Sequence, residues 1–235
     1  MSFVLKGSCY LLRQACYDAL TMNSGLQRVV LLVPIFLFSL CVHEFAHAWV
    51  ATKRGDPTAK LMGRLTLHPL AHADWIGTFF LPIVCIYYGW PFFGWAKPVP
   101  VDTRYFKHGR RDMALVAAAG PISNILLALI ATGVLALLIR VPLEHSVVET
   151  MQLFAVIAIQ VNLMLAFFNL IPIPPLDGFM VIQGILSARV ATTFSRLAPH
   201  ANLILFILLF SGGLRFIATP VYRIFHALVG FAGAQ

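Results

Sequence analysis

Charge is what this sequence has least of: Asp, Glu, Lys and Arg make up 11% of its 235 residues, and the carboxylates number 9. A soluble domain carries about 25% charged residues. With 60% of its residues hydrophobic and a mean hydropathy of +0.85, the chain is not a water-soluble globule. It also lacks the segments of about ten residues alternating apolar and polar that a lipid-facing β-barrel needs, and has long unbroken apolar blocks instead. Its cysteines, Cys9, Cys16, Cys41 and Cys85, show no framework spacing, which excludes a disulfide scaffold. The low polar content excludes disorder. What is left is an all-α polytopic membrane protein, with the lipid bilayer as its surroundings.

Positive charge outweighs negative, 17 Lys and Arg against 9 Asp and Glu, for a formal net charge of +8. These basic residues sit between apolar blocks, where they orient membrane spans. That placement argues against nucleic acid as a partner.

Residues 1–25 mix Phe3, Val4, Leu5, Leu11 and Leu12 with Lys6, Arg13 and Asp18, the pattern of an interfacial amphipathic segment. A first span covers about 26–50, and its polar exceptions, His43, Glu44 and His47, gather near its end. A basic stretch with Lys53, Arg54, Lys60 and Arg64 follows, including the β-leaning Leu65, Thr66 and Leu67. Residues 75–95 are apolar but interrupted by Gly77, Pro82, Gly89, Pro91 and Gly94, which predicts a re-entrant segment. A second basic loop carries Lys97, Arg104, Lys107, Arg110 and Arg111. Residues 113–139 hold no charge and are long enough to span the membrane. Another uncharged run, 150–176, ends as a helix near Asn169 because prolines 172, 174 and 175 follow. A span over about 200–217 and an amphipathic tail past Pro220 complete the chain. The expected architecture is a helical bundle of about four to six spans with a re-entrant segment and short membrane-associated β-strands. Its expected divisions are 1–25, a membrane core over 26–190, and a C-terminal helix and tail over 191–235.

His43-Glu44-Phe45-Ala46-His47 reads H-E-x-x-H on a helix. Histidines at i and i+4 share one helical face and can reach one zinc ion, and the glutamate beside them can act as a base toward water activated there. Two imidazoles and a carboxylate within an apolar span are expensive without partners, and a metal supplies one partner for all three. A catalytic zinc has three protein ligands and an open position. Candidates for the third are Asp56, Asp74, Asp102, Asp112, Glu144, Glu149, Asp177 and the other histidines. Asp56, Asp102 and Asp112 lie in basic loops, where solvation or ion pairing is the expected role. Asp177, after a rigid proline turn, is either a ligand or the N-cap of the next helix.

Residues 43–47 together with Asn169-Leu170-Ile171-Pro172-Ile173-Pro174-Pro175-Leu176-Asp177-Gly178 resemble the paired signatures of the site-2 protease family of intramembrane zinc metalloproteases. Gly94-Trp95-Ala96-Lys97-Pro98-Val99-Pro100-Val101 and Ala119-Gly120-Pro121 are similar to its bacterial members, and the resemblance extends over about 29–186. It implies one zinc per chain held by His43, His47 and Asp177, with Glu44 as catalytic base and Asn169 holding the substrate carbonyl or oxyanion. It implies membrane-spanning protein substrates and a minimal bacterial core without PDZ or CBS domains, in the inner membrane. Oligomeric state is left open.

One metal joining His43 and His47 to Asp177 requires the ends of their two spans to lie on one membrane side. With two crossings between, residues 75–95 must then cross zero or two times. The two basic loops flanking that segment place the site toward the cytoplasm. Leu65–Leu67 and Val99–Val101 are candidate edges for an unwound substrate strand. The rival functions are a non-proteolytic metal-binding membrane protein, which would not need Glu44, and a small ion transporter, which would spread polar groups along several spans.

Overall fold

The computed structural model describes residues 25–88, 93–140, 145–196, 198–211, 213 and 215–233. The amphipathic segment expected over 1–25 falls outside them but for its last residue. Helix α1 is Gly25–Arg54. Two short helices follow, α2 (Thr58–Leu61) and α3 (Pro69–His72), then a π-helical turn at Trp75–Phe80 that runs into α4 (Leu81–Tyr88). The long helices α5 (Arg110–Leu138) and α6 (His145–Asn169) come next. The chain closes with α7 (Asp177–Ile185), α8 (Ala188–Ser195), α9 (Ala201–Phe210) and α10 (Arg215–Phe231).

Three of the described helices are long and apolar enough to cross a membrane: Val29–Arg54, Arg110–Leu138 and Val147–Asn169. That corrects the expected four to six. The C-terminal span expected over 200–217 divides into α9, of 10 residues, and the start of α10. At 1.5 Å per residue α9 is about 15 Å long, half the hydrocarbon thickness. Helix α10 buries Val221, Phe225 and Val229, one face at i, i+4, i+8, against α5 and α6.

The expected β-strands are absent among the described residues. Around Leu65–Leu67 the polar groups turn inward on their own loop: His72 Nε2 bonds Thr66 O at 2.9 Å and His68 N donates to Thr66 Oγ1 at 3.1 Å. Pro98 and Pro100 have no N–H to give a ladder. Nor do the described residues show the expected re-entrant break; Trp75–Tyr88 is helical throughout, and 89–92 lie outside the description. Asp74 caps this helix by accepting from Ile76 N and Gly77 N. Pro82, inside this continuous helix, has no N–H to donate, and the π-helical turn lies directly before it. The indole of Trp95 packs on Gly77 where any Cβ would stand. The backbone there is tied by Trp95 N to Gly77 O at 3.0 Å, Thr78 Oγ1 to Trp95 O at 2.8 Å and Lys97 N to His72 O at 2.8 Å.

Helix α1 ends in a Schellman turn. Gly55 takes φ +109°, Asp56 N reaches back to Ala51 O and Gly55 N to Thr52 O, and Lys53 and Arg54 sit in the last turn, where the helix dipole favours cations. The inner face of α1 runs Phe36, Leu40, His43, His47, Ala51, at steps of three and four. Phe36 and Leu40 pack on Ile157 and Val161 of α6, while Ala51 packs with Val116 of α5 and with Phe106 of the loop before it. Fully buried Ala48, Ala51, Ala128 and Ala166 let these helices approach closely, as small residues do in membranes. The three long helices therefore meet at the depth of His43 and His47.

Candidate metal centre

His43, Glu44 and His47 are all nearly buried, and the two imidazoles meet edge to face with centroids 4.6 Å apart. A single face of α5 positions them. Val116, Gly120 and Asn124 lie at i, i+4 and i+8, so they line one stripe. His43 Nδ1 donates to Asn124 Oδ1 at 2.6 Å, and His47 Nδ1 donates to the Val116 carbonyl at 2.7 Å. The orientation of Asn124 is set in turn, because its Nδ2 donates to Asn162 Oδ1 at 2.9 Å and to Ser39 O at 3.4 Å. A carbonyl only accepts, so His47 carries its proton on Nδ1; the Asn124 amide dictates the same for His43. In the neutral rings both Nε2 atoms are then left with a lone pair.

Those lone pairs face one carboxylate. His43 Nε2 lies 3.1 Å from Asp177 Oδ2 and His47 Nε2 lies 3.4 Å from Asp177 Oδ1. Asp177 Oδ2 is buried without a hydrogen-bond donor. Lone pairs turned on a buried carboxylate repel unless positive charge lies between them. A divalent cation meets that need: tetrahedral zinc with bonds of about 2.0–2.1 Å separates its ligand atoms by about 3.3 Å. Space is available too. A Cβ on Gly120 would come within 2.5 Å of His47 Nε2 and 2.6 Å of His43 Nε2, so the bare glycine leaves this hollow open.

Two histidines and one aspartate are the ligand set and count of a catalytic zinc site. The carboxylate of Glu44 also lies close, its ligand atom and those of the two histidines all being within 4.8 Å of one another. Its Oε2, however, accepts a hydrogen bond of 2.9 Å from Val99 N. Asp177 is thus better placed than Glu44 to serve as a third ligand, and Glu44 stands beside that position with one oxygen engaged.

The alternative role for Asp177 is excluded. It is the first residue of α7, whose N-cap is Leu176, with no side-chain cap bond. The chain reaches it through a tight return in which Gly178 abuts the Leu170 carbonyl, too close for any side chain. Of the other acidic candidates Glu144 lies outside the described residues, Glu149 is exposed near the start of α6, and four are engaged elsewhere. Asp74 caps the π-turn, and Asp102 pairs with Arg104 at 2.6 Å. Asp112 accepts from His108 N and pairs with Arg54 at 3.5 Å. Asp56 was expected to be solvated or ion-paired, yet it is fully buried and accepts from the amides of Thr58 and Asp102. Asn169 ends α6 and donates to Leu165 O at 2.9 Å; among the described contacts none joins it to His43, Glu44, His47 or Asp177.

Sequence reasoning missed Asn124, Asn162 and Gly120. The first two were detectable in principle, as amides in otherwise apolar spans. Asn124→Ala should weaken zinc binding about 10- to 100-fold, the usual loss for a group that orients a metal-binding histidine. Competition against a zinc-chelating dye measures it.

A membrane-embedded bundle that joins an H-E-x-x-H helix to an aspartate from a distant helix defines a metallopeptidase of the membrane. The family model described as Peptidase family M50 matches residues 31–154 and 138–212, and the chain belongs to that family. It is 41% identical over 181 residues to "Putative zinc metalloprotease YwhC" of Bacillus subtilis, covering 76% of this chain and 79% of the relative. It is 30% identical over 187 residues to "Putative zinc metalloprotease Rip2" of Mycolicibacterium smegmatis, covering 79% and 68%. The Mycobacterium tuberculosis (strain H37Rv) protein of the same name is 34% identical over 185 residues, covering 77% and 65%. No solved structure matches the chain.

Proposed function

We propose that this chain hydrolyses peptide bonds in or beside the transmembrane helices of other membrane proteins. One zinc ion would be held by His43, His47 and Asp177, with Glu44 as the base. The observation that carries this is the pair of imidazole lone pairs directed at the buried Asp177 carboxylate, with a second carboxylate, Glu44, alongside. Two histidines and one aspartate suffice to hold a metal, so an extra carboxylate at that position favours catalysis over a structural site or an ion transporter. Family membership favours it too.

Zinc, when bound, supplies Lewis acidity and brings the pKa of water down towards about 7. Glu44 takes the proton from the attacking water and later hands it to the leaving amine. Asn169 donates its amide to the oxyanion that develops on the scissile carbonyl, for which it must leave Leu165 O. Asn124 and the Val116 carbonyl keep both histidines in the tautomer that leaves Nε2 free. A substrate helix protects its own amides by internal hydrogen bonds, so it unwinds locally before attack.

The proposed divisions are a catalytic core over 26–190, an interfacial segment before it and a C-terminal helix and tail after it. The basic loops around Lys60 and Lys107 are placed in the cytoplasm, with the site toward that side of a bacterial cell membrane; the relatives' source supports the choice of membrane.

The test uses the full chain in phospholipid vesicles with single-span bacterial membrane proteins as substrates. Expected are one zinc per chain, cleavage near the span, loss of cleavage with a chelator and its return with zinc. Cysteines placed at 60 and 107 should label from the same face. Zinc removal without effect on cleavage, or zinc binding with no cleavage of any span, would overturn the proposal.

A further inference from the structure

The Glu44 carboxylate is held by backbone from a distant loop, in which prolines on either side of the donor remove the neighbouring amides. We infer that residues 97–102 form a strap whose Val99 amide positions the base; this rests on Glu44 being the base, as proposed above.

The strap is tied at both ends. Lys97 N donates to His72 O at 2.8 Å, and Asp102 N donates to Asp56 Oδ2 at 2.7 Å. Asp56 is an unusual anchor, a carboxylate with no exposure in a chain that has 9 acidic residues, its other oxygen accepting from Thr58 N at 2.9 Å. Apolar contacts fasten the strap along α1 on either side of Glu44. Ala96 packs with the Phe36 and Leu40 cluster, and Val101 with the Ala51 and Val116 cluster.

Between the ties, Pro98 and Pro100 flank Val99. Each fixes its own φ, and each pushes the residue before it, Lys97 and Val99, into extended backbone. Neither carries an N–H. Within 97–101 only Lys97, Val99 and Val101 therefore have an amide to donate, and that of Val99 meets Glu44 Oε2 at 2.9 Å. The prolines leave the opposite edge without donors, which is why no ladder forms along it.

The chemical consequence is specific. Glutamate has three rotatable bonds, and next to a cation its carboxylate would swing in as an additional ligand. A donor locked on Oε2 restrains that swing and leaves Oε1 free to accept a proton. Misplacing a reacting group by about 1 Å can cost about 10²-fold in rate, so Val99 acts on kcat and leaves substrate binding alone.

Val99→Pro removes the amide in a backbone already extended between prolines. It should lower kcat about 10²-fold with KM and zinc content unchanged. Val99→Ala restores the amide without the isopropyl group, and kcat should return to within about threefold of the starting protein. A second readout needs no turnover: hydrogen exchange in a strap peptide, where the prolines leave few amides. Exchange at Val99 should be slow in the unmodified chain, fast in Glu44→Ala, and slow in Glu44→Gln, which keeps an acceptor oxygen. Equal kcat in Val99→Pro and Val99→Ala, or equal exchange with and without the Glu44 side chain, overturns the inference. Should Val99→Pro fail to fold, the exchange experiment decides. Cleavage that survives Glu44→Gln instead removes the parent proposal, so the two failures are separable.

Discussion

Glu44→Gln should leave one zinc bound per chain and lower peptide hydrolysis by about 10²- to 10⁴-fold, the range supplied by a positioned general base. The substitution is close to isosteric. The amide oxygen can still accept from Val99 N, and none of His43, His47 and Asp177 loses a contact, because their mutual geometry does not involve Glu44. Basicity alone is removed. Turnover on a membrane-spanning substrate together with metal content by atomic emission measures both sides of the expectation. Wild-type turnover in the variant would assign the base elsewhere; loss of zinc would make Glu44 a ligand.

Gly120→Ala should weaken zinc binding, and activity with it, far more than it weakens the fold. The added methyl would lie 2.5 Å from His47 Nε2 and 2.6 Å from His43 Nε2 and Cε1, well inside van der Waals contact. The rings cannot retreat freely, since each is tethered through Nδ1 to the very helix that carries Gly120. A loss of at least about 10²-fold in zinc affinity is expected, comparable with or above the loss of an orienting group. The folding effect should be modest, because alanine's advantage of about 1 kcal/mol over glycine inside a helix offsets part of the roughly 1–3 kcal/mol that overpacking costs. Gly133 on the same helix has nothing within 4 Å of an added Cβ, so Gly133→Ala serves as the control and should keep both zinc and activity. Isothermal titration with zinc and thermal unfolding separate the two effects. Full zinc affinity in Gly120→Ala would mean that the ligands do not meet over this glycine.

The long uncharged runs were legible because hydrocarbon demands about 20 apolar residues in a row, whatever their neighbours. The three spans follow from it. The same criterion over-read the C-terminus, where the apolar run stops as a helix at Phe210 and the next helix, α10, turns a face to α5 and α6. Hydropathy reports transfer from water and does not distinguish lipid from a neighbouring helix. The β-strands were over-read for a related cause. Leu65, Thr66 and Leu67 favour extended backbone, but a strand also needs a partner edge, and here the available donors and acceptors are used within the loop.

At the site, the motif at 43–47 was legible because one turn of helix suffices to bring i and i+4 together. Asp177 was legible only as one of several acidic candidates and through the resemblance. Burial separated them: Asp56, Asp102 and Asp112 each have backbone or arginine partners, while Asp177 Oδ2 has none among the described residues. Of the contribution of α5, only the amide of Asn124 left a trace in the sequence. A stripe of Val116, Gly120 and Asn124 carries no charge, and its value lies in a carbonyl, a missing methyl group and an amide, each meaningful only opposite the histidines.

By itself, the sequence determined that this is a helical membrane protein, that three runs are long and apolar enough to cross, and that two histidines and a glutamate share one helix. These are local properties, set by composition, by helical period and by the cost of polar groups in hydrocarbon. Only the tertiary structure decided which carboxylate faces the histidines, which nitrogen of each ring is free, and that a distant amide holds Glu44. Those depend on contacts between residues dozens of positions apart, 81 between His43 and Asn124 and 55 between Val99 and Glu44, and chain packing alone brings such residues together.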